Sequence, residues 1–155
     1  FFGLRYLGAL AAVRSAVPVL RAGGSITLTT GTAGDRPSPG WAVASSVCGA
    51  VDSLTRALAV ELAPLRVNAV KPGITRSPLW GSGDGVDELY AGVAASVPLR
   101  RIGEVSDVAE AYLYLMRGGY TPGVATALVL LPLALTVAHR LGTAAGRGRT
   151  EPGIR

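Results

Sequence analysis

The 155-residue chain contains one cysteine, one histidine, one lysine and one methionine, and only 16% of its residues are charged. A single Cys48 excludes an intramolecular disulfide, and Cys48 with His139 cannot furnish a usual zinc site, so no metal is expected. A chain without disulfides fits a reducing compartment, and the cytoplasm is the expected location. Long hydrophobic runs are also missing. The apolar stretch 124–138 contains Pro132 and falls short of the roughly 20 residues that span a bilayer, so no membrane anchor is expected. Residues 1–24 lack the ordered charged, apolar and cleavage regions of a signal peptide, and Phe1 stands where an initiator Met would, as at an arbitrary start.

What remains is 49% hydrophobic, enough for a single core and too apolar for disorder throughout. The net charge of +5 invites a nucleic-acid reading, but its distribution argues against one. From Val124 onward, four arginines (Arg140, Arg147, Arg149, Arg155) face Glu151 alone, so this tail carries three of the five charges. The body shows no strong basic patch, and no nucleic-acid partner is expected. Fourteen arginines stand against one lysine, Lys71, a pattern that base composition alone can produce.

Apolar residues at helical spacing (Leu7, Leu10, Ala11, Val13, Val17, Leu20) predict a helix over 5–21, stopped by Pro18 and Ala22-Gly23-Gly24. Residues 25–30 read as a short buried strand bounded by glycines. A Gly-, Pro- and Ser-rich loop leads to a long helix over 41–62, with Val47, Val51, Leu54, Leu58 and Leu62 as its apolar stripe. Pro64 ends it, and a strand over 66–70 closes on Lys71-Pro72-Gly73. Strand, helix and strand with short connections form a βαβ unit, hence a parallel sheet covered by helices. Residues 74–99 read as a mobile excursion with a short helix near 86–95. Ser106 is expected to cap a helix running to 116, with Val108, Ala111, Tyr112 and Leu115 inward. Residues 125–131 could form a last strand, and 142–155 are expected to be disordered.

Four segments together resemble the short-chain dehydrogenase/reductase family. They are Gly23-Gly24-Ser25-Ile26-Thr27-Leu28-Thr29-Thr30-Gly31, the helical Leu54–Leu62 run, Arg66-Val67-Asn68-Ala69-Val70-Lys71-Pro72-Gly73, and Arg101-Ile102-Gly103-Glu104 with Asp107-Val108-Ala109. The resemblance covers residues 1–123 and implies an α/β fold: the C-terminal portion of a doubly wound, Rossmann-like parallel sheet with helices on both faces. Residues 124–141 follow as a possible last strand and a divergent segment. The family's Asp-Gly-Gly turn is missing there, and the Ala-, Arg- and Gly-rich remainder resembles out-of-frame translation of a GC-rich frame. The glycine-rich turn that seats a pyrophosphate belongs to the family's first strand and helix and is not among these residues. Gly31 and Gly34 read as turn chemistry rather than a second phosphate loop.

The resemblance also implies a chemistry: hydride transfer between NAD or NADP and a small-molecule carbonyl or secondary alcohol. In the family a Tyr exchanges the proton, and a Lys one helical turn later lowers its pKa. A Ser orients the substrate oxygen, and an Asn supports a relay water. Registering the family pattern on this sequence puts Ala44 at the Tyr position, Cys48 at the Lys position, Gly31 at the Ser position and Arg5 at the Asn position. All four are replaced, so a degenerate site, inactive alone, is expected. Thr30 and Thr32 flank the Ser position and could contact a substrate oxygen. The nicotinamide side fares better: Pro72, Gly73, Ile74 and Ser77 match the segment that touches the carboxamide. Arg76 and Trp80 are candidates for the substrate side. A different class of reading is a non-catalytic module that forms a homo-oligomer through helices 5–21 and 41–62, and a third is a truncated gene remnant.

Overall fold

A computed structural model describes residues 1–120 and the backbone of one further strand, Ala125–Ala127. The first helical segment opens with a π-helical turn, Gly3–Leu7, continues as α1, Gly8–Ala16, and tightens into a 3-10 turn at Val17–Val19. Pro18 explains the ending, because it has no N–H to continue the ladder. Strand β1, Ser25–Thr29, leads into α2, Ala42–Glu61, and then β2, Arg66–Lys71. Beyond β2 come a short strand β3, Thr75–Arg76, helix α3, Asp84–Ser96, strand β4, Gly103–Glu104, helix α4, Val105–Arg117, and strand β5, Ala125–Ala127.

Strands β1, β2 and β5 form one parallel sheet in the order β1-β2-β5, with Ser25 opposite Arg66 and Ala69 opposite Ala125. Strand side chains alternate between faces, and the two faces of this sheet bury against different helices. Leu28, Val67 and Ala69 pack with Val47, Val51 and Leu58 of α2 and Val13 of α1. On the other face Val70 packs with Ala111 and Leu115 of α4. Both faces are covered, as a parallel sheet requires. Helix α2 has the length and apolarity of a membrane span, yet Val47, Val51, Asp52, Thr55 and Leu58 are buried within this core.

The differences from the sequence reading are local. The segment 74–99 is more ordered than its glycines suggest. Its helix extends to Asp84–Ser96, Tyr90 is buried, and β3 pairs in parallel with β4. Helix α4 is capped by Glu104, not Ser106. Glu104 and Asp107 form a reciprocal capping box, each side chain accepting from the other residue's end of the first turn. The expectations for 128–155, disorder of the tail included, lie outside the described residues.

Candidate active site

In an open parallel sheet, the crevice beyond the carboxyl ends of the strands is where the connecting loops converge. Here two loops meet at the ends of β1 and β2. The Thr30 N–H donates to the Val70 carbonyl at 2.9 Å, and the Thr32 N–H donates to the Pro72 carbonyl at 3.1 Å. These bonds lay Gly31 beside Pro72-Gly73. The α2 helix enters the same place, with the Thr30 hydroxyl donating to the Cys48 carbonyl at 2.9 Å.

Gly31 and Cys48 are in near contact. A Cβ placed on Gly31 would sit 3.1 Å from Cys48 Sγ and 3.8 Å from the Pro72 carbonyl oxygen. Gly34 is as tight, its Cβ position lying 3.2 Å from Cys48 Cβ and from the Gly49 nitrogen. Neither glycine has a positive φ. The two glycines do bound a turn, the Gly34 N–H donating to the Gly31 carbonyl at 3.2 Å, and the close approach of that turn to α2 is what keeps them free of side chains. Ala44 lies one turn before Cys48 on α2, and residues four apart share a helix face. Arg5 joins the group as well. A small cavity of about 40 Å³ is lined by Arg5, Thr29, Thr30 and Cys48, with Phe1, Val47 and Val51 completing it. The fold thus gathers Arg5, Gly31 and Cys48, with Ala44 on the same face of α2.

On the opposite lip, Pro72, Gly73 and Ile74 are half-buried and follow β2 directly. The Thr75 hydroxyl donates to the Gly73 carbonyl at 3.2 Å, fixing the turn. The buried Tyr90 hydroxyl sits between the Ser77 amide (3.3 Å) and carbonyl (3.4 Å), so the backbone of Ser77 is held while its own hydroxyl has no partner among the described residues. Arg76 and Trp80 are both engaged locally. Arg76 lies over the Tyr90 ring at 4.6 Å and pairs with Glu104 at 3.3 Å, and the Trp80 indole N–H donates to the Thr75 carbonyl. Arg76 and Ser77, but not Trp80, line an open groove of about 790 Å³ that runs past Gly83, Val86 and Tyr90.

One cluster escaped the sequence reading. Val67, Ala69 and Lys71 follow one another along the α2-facing row of β2, so Lys71 projects where another apolar side chain is due. Its ammonium meets Asp52 of α2 at 2.6 Å and Asp35, midway along the loop between β1 and α2, at 2.7 Å. The Lys71 and Asp52 side chains are 8% exposed, that of Asp35 46%. Asp52 Oδ1 is buried with no hydrogen-bond partner among the described residues. Burial pulls the Lys71 pKa down, but hydrogen bonds to Asp35 and Asp52 and the charges of both outweigh it and hold the pKa above its ordinary 10.5. The signal was present in the sequence: the chain's single lysine follows Val67 and Ala69 at alternate positions of the strand, where a third apolar side chain is due. Among the described residues no group of His, Cys, Asp and Glu could hold a metal ion.

Comparison with known proteins agrees with this architecture. The family described as Enoyl-(Acyl carrier protein) reductase matches residues 2–123. The short-chain dehydrogenase/reductase ATR9 of Stachybotrys chlorohalonatus is 48% identical over 100 residues, which make up 64% of this chain and 40% of that protein. The solved structure of the MalC reductase/Diels-Alderase of Malbranchea aurantiaca has a TM-score of 0.75 at 32% identity, covering 79% of this chain and 49% of the other. An NADPH-bound short-chain oxidoreductase of Pseudomonas aeruginosa, described as containing an atypical catalytic center, has a TM-score of 0.74 at 28% identity, covering 81% of this chain and 53% of the other. The chain spans well under two thirds of the length of each of these relatives. With a family match over residues 2–123 and a parallel sheet covered on both faces, the chain belongs to the short-chain dehydrogenase/reductase family.

Proposed function

We propose that this chain is the nicotinamide-side portion of an NAD(P)-dependent oxidoreductase whose tyrosine-lysine proton-transfer pair has been lost. The observation that carries the reading is the contact between Gly31 and Cys48, with Ala44 one turn away. In the family register, these are the positions of the serine, the lysine and the tyrosine. A methyl group cannot donate a proton, a glycine cannot orient a carbonyl oxygen, and a thiol lacks the fixed charge of an ammonium. Arg5, at the asparagine position, offers hydrogen-bond donors but no acceptor for a relay water. By itself, then, the chain lacks the family's reaction at a carbonyl or secondary alcohol.

Nicotinamide binding is a separate matter. Pro72, Gly73 and Ile74 form a fixed turn after β2, and Ser77, its backbone held by Tyr90, follows β3. In this reading they would hold the carboxamide, and the bound cofactor would supply or accept hydride. The absence of a side chain at Gly31 keeps the facing lip low. An NADPH-bound relative described as having an atypical catalytic center supports the idea that altered catalytic residues are compatible with cofactor retention. The sequence has no glycine-rich pyrophosphate turn of the family type among its residues, so weak binding by this chain alone is expected.

The test is a titration of the isotope-labelled chain with reduced nicotinamide mononucleotide, followed by amide NMR. Shifts concentrated at Gly73, Ile74 and Ser77, weakened in Ser77→Ala, are the expected result. Shifts scattered over the surface, or none, would remove the proposal.

A further inference from the structure

The helix face that carries the family's tyrosine and lysine positions continues for one more turn. Ala44, Cys48 and Asp52 recur every four residues, so Asp52 lies on that face, one turn below Cys48. Its carboxylate holds Lys71, which reaches α2 from the last position of β2. The same ammonium holds Asp35, in the loop that begins at Gly31. An ammonium therefore stands beneath the crevice, delivered by β2 rather than by α2.

We propose that Lys71 is a positioning residue that clamps the Gly31–Asp35 loop to α2 and to the Pro72-Gly73 turn, fixing both lips of the nicotinamide crevice. The proposal rests on the reading of that crevice given above. Three elements meet at one nitrogen, at 2.7 Å and 2.6 Å from carboxylates of two of them. The loop is tied to the end of β2 at two points. One is the Thr32 N–H to Pro72 carbonyl bond; the other is the Asp35–Lys71 pair. The Asp35 and Arg36 amides both donate to the Thr32 carbonyl, so the second tether is transmitted to the first.

Stability alone does not account for a charge in this place. Val67 and Ala69 precede Lys71 in the same row, and an apolar pair at 71 and 52 would avoid the cost of desolvating two ions. Nor does habit of composition, since the chain otherwise uses arginine for its basic residues. A guanidinium is planar and forked, whereas an ammonium is a compact point charge that can bond carboxylates on two different elements.

Asp35→Asn is the decisive variant, because Asp35 is half-exposed and its loss leaves the buried pair intact. The expected result is faster hydrogen exchange at the Thr32 amide and weaker binding of reduced nicotinamide mononucleotide, each by about three- to fivefold, with the unfolding midpoint unchanged. A second variant, Lys71→Met with Asp52→Leu, replaces the buried pair by apolar groups, and the same two losses are expected in a folded protein. Exchange and binding at wild-type levels in both variants would reduce Lys71 to a core ion pair and overturn the clamp. Failure of the wild-type chain to bind the mononucleotide would instead overturn the crevice reading, and with it the positioning role, whatever the exchange data show.

Discussion

Gly31 and Cys48 define the site at the scale of single residues, because each limits what the other can be. A side chain at 31 meets Cys48 Sγ at 3.1 Å, so Gly31→Ser is expected to destabilise the fold by about 1–3 kcal/mol through overpacking. Combining it with Cys48→Ala should recover much of that loss, and a double-mutant cycle in denaturant measures the coupling. Purely additive effects would show that the two positions do not interact. Lys71 gives a pH signature of its own. A pKa raised on folding means that the Lys71 contribution is fully present below the ordinary 10.5 and is lost as pH rises through the higher folded value. Wild-type stability should thus fall at alkaline pH more steeply than that of the Lys71→Met, Asp52→Leu protein. The grouping of Gly31, Cys48 and Ala44 was legible in the sequence because the fixed spacings of the family pattern set the register. The Lys71 cluster was not, since Asp35, Asp52 and Lys71 are 17 and 19 residues apart and only the βαβ fold brings them together.

Among the elements, α4 shows most clearly how short-range chemistry fixes an end. The Glu104 side chain accepts from the Asp107 N–H, and Asp107 accepts from the Glu104 N–H at 2.9 Å. The hydrogen bond from Arg101, followed by that from the Glu104 N–H, holds the Asp107 carboxyl at about 2, below its ordinary 3.8. With the folded value depressed, the stabilisation is present above the unfolded value and lost as pH falls toward about 2. An acid titration followed by circular dichroism should show a shallower loss of stability between these values in Asp107→Ala than in the wild type. At the other end of α4, Arg66 donates to the carbonyls of Leu115 at 2.9 Å and Met116 at 3.3 Å. Its truncation, Arg66→Ala, should cost about 1–2 kcal/mol by freeing carbonyls at the negative end of the helix dipole. Helices α1, α2 and α4 and strands β1 and β2 were readable from periodicity and breakers. Ser106 resembles a cap in sequence, but the reciprocal bonds available to Glu104 and Asp107 set the boundary two residues earlier. The two-residue pair β3 and β4 left no periodic signal at all, because two residues are too few to alternate.

For the molecule as a whole, the sheet separates two cores and places the crevice at the ends of their shared strands. Leu115 is fully buried against Val70 and Ala111, so Leu115→Ala is expected to cost about 2–5 kcal/mol and to lower the unfolding midpoint in urea. The fold class was accessible from the sequence because parallel strands buried on both faces read as apolar runs separated by amphipathic helices. The candidate site was accessible only through the family resemblance, since an alanine and a glycine carry no chemical signature of their own. The most direct measurement is the reduction of a panel of small ketones by the purified chain, with NADH and NADPH in turn, followed by nicotinamide absorbance. No turnover above the uncatalysed background is the expected result. Cofactor-dependent reduction by the chain with Ala44 and Cys48 in place would contradict the claim that its proton-transfer pair is lost.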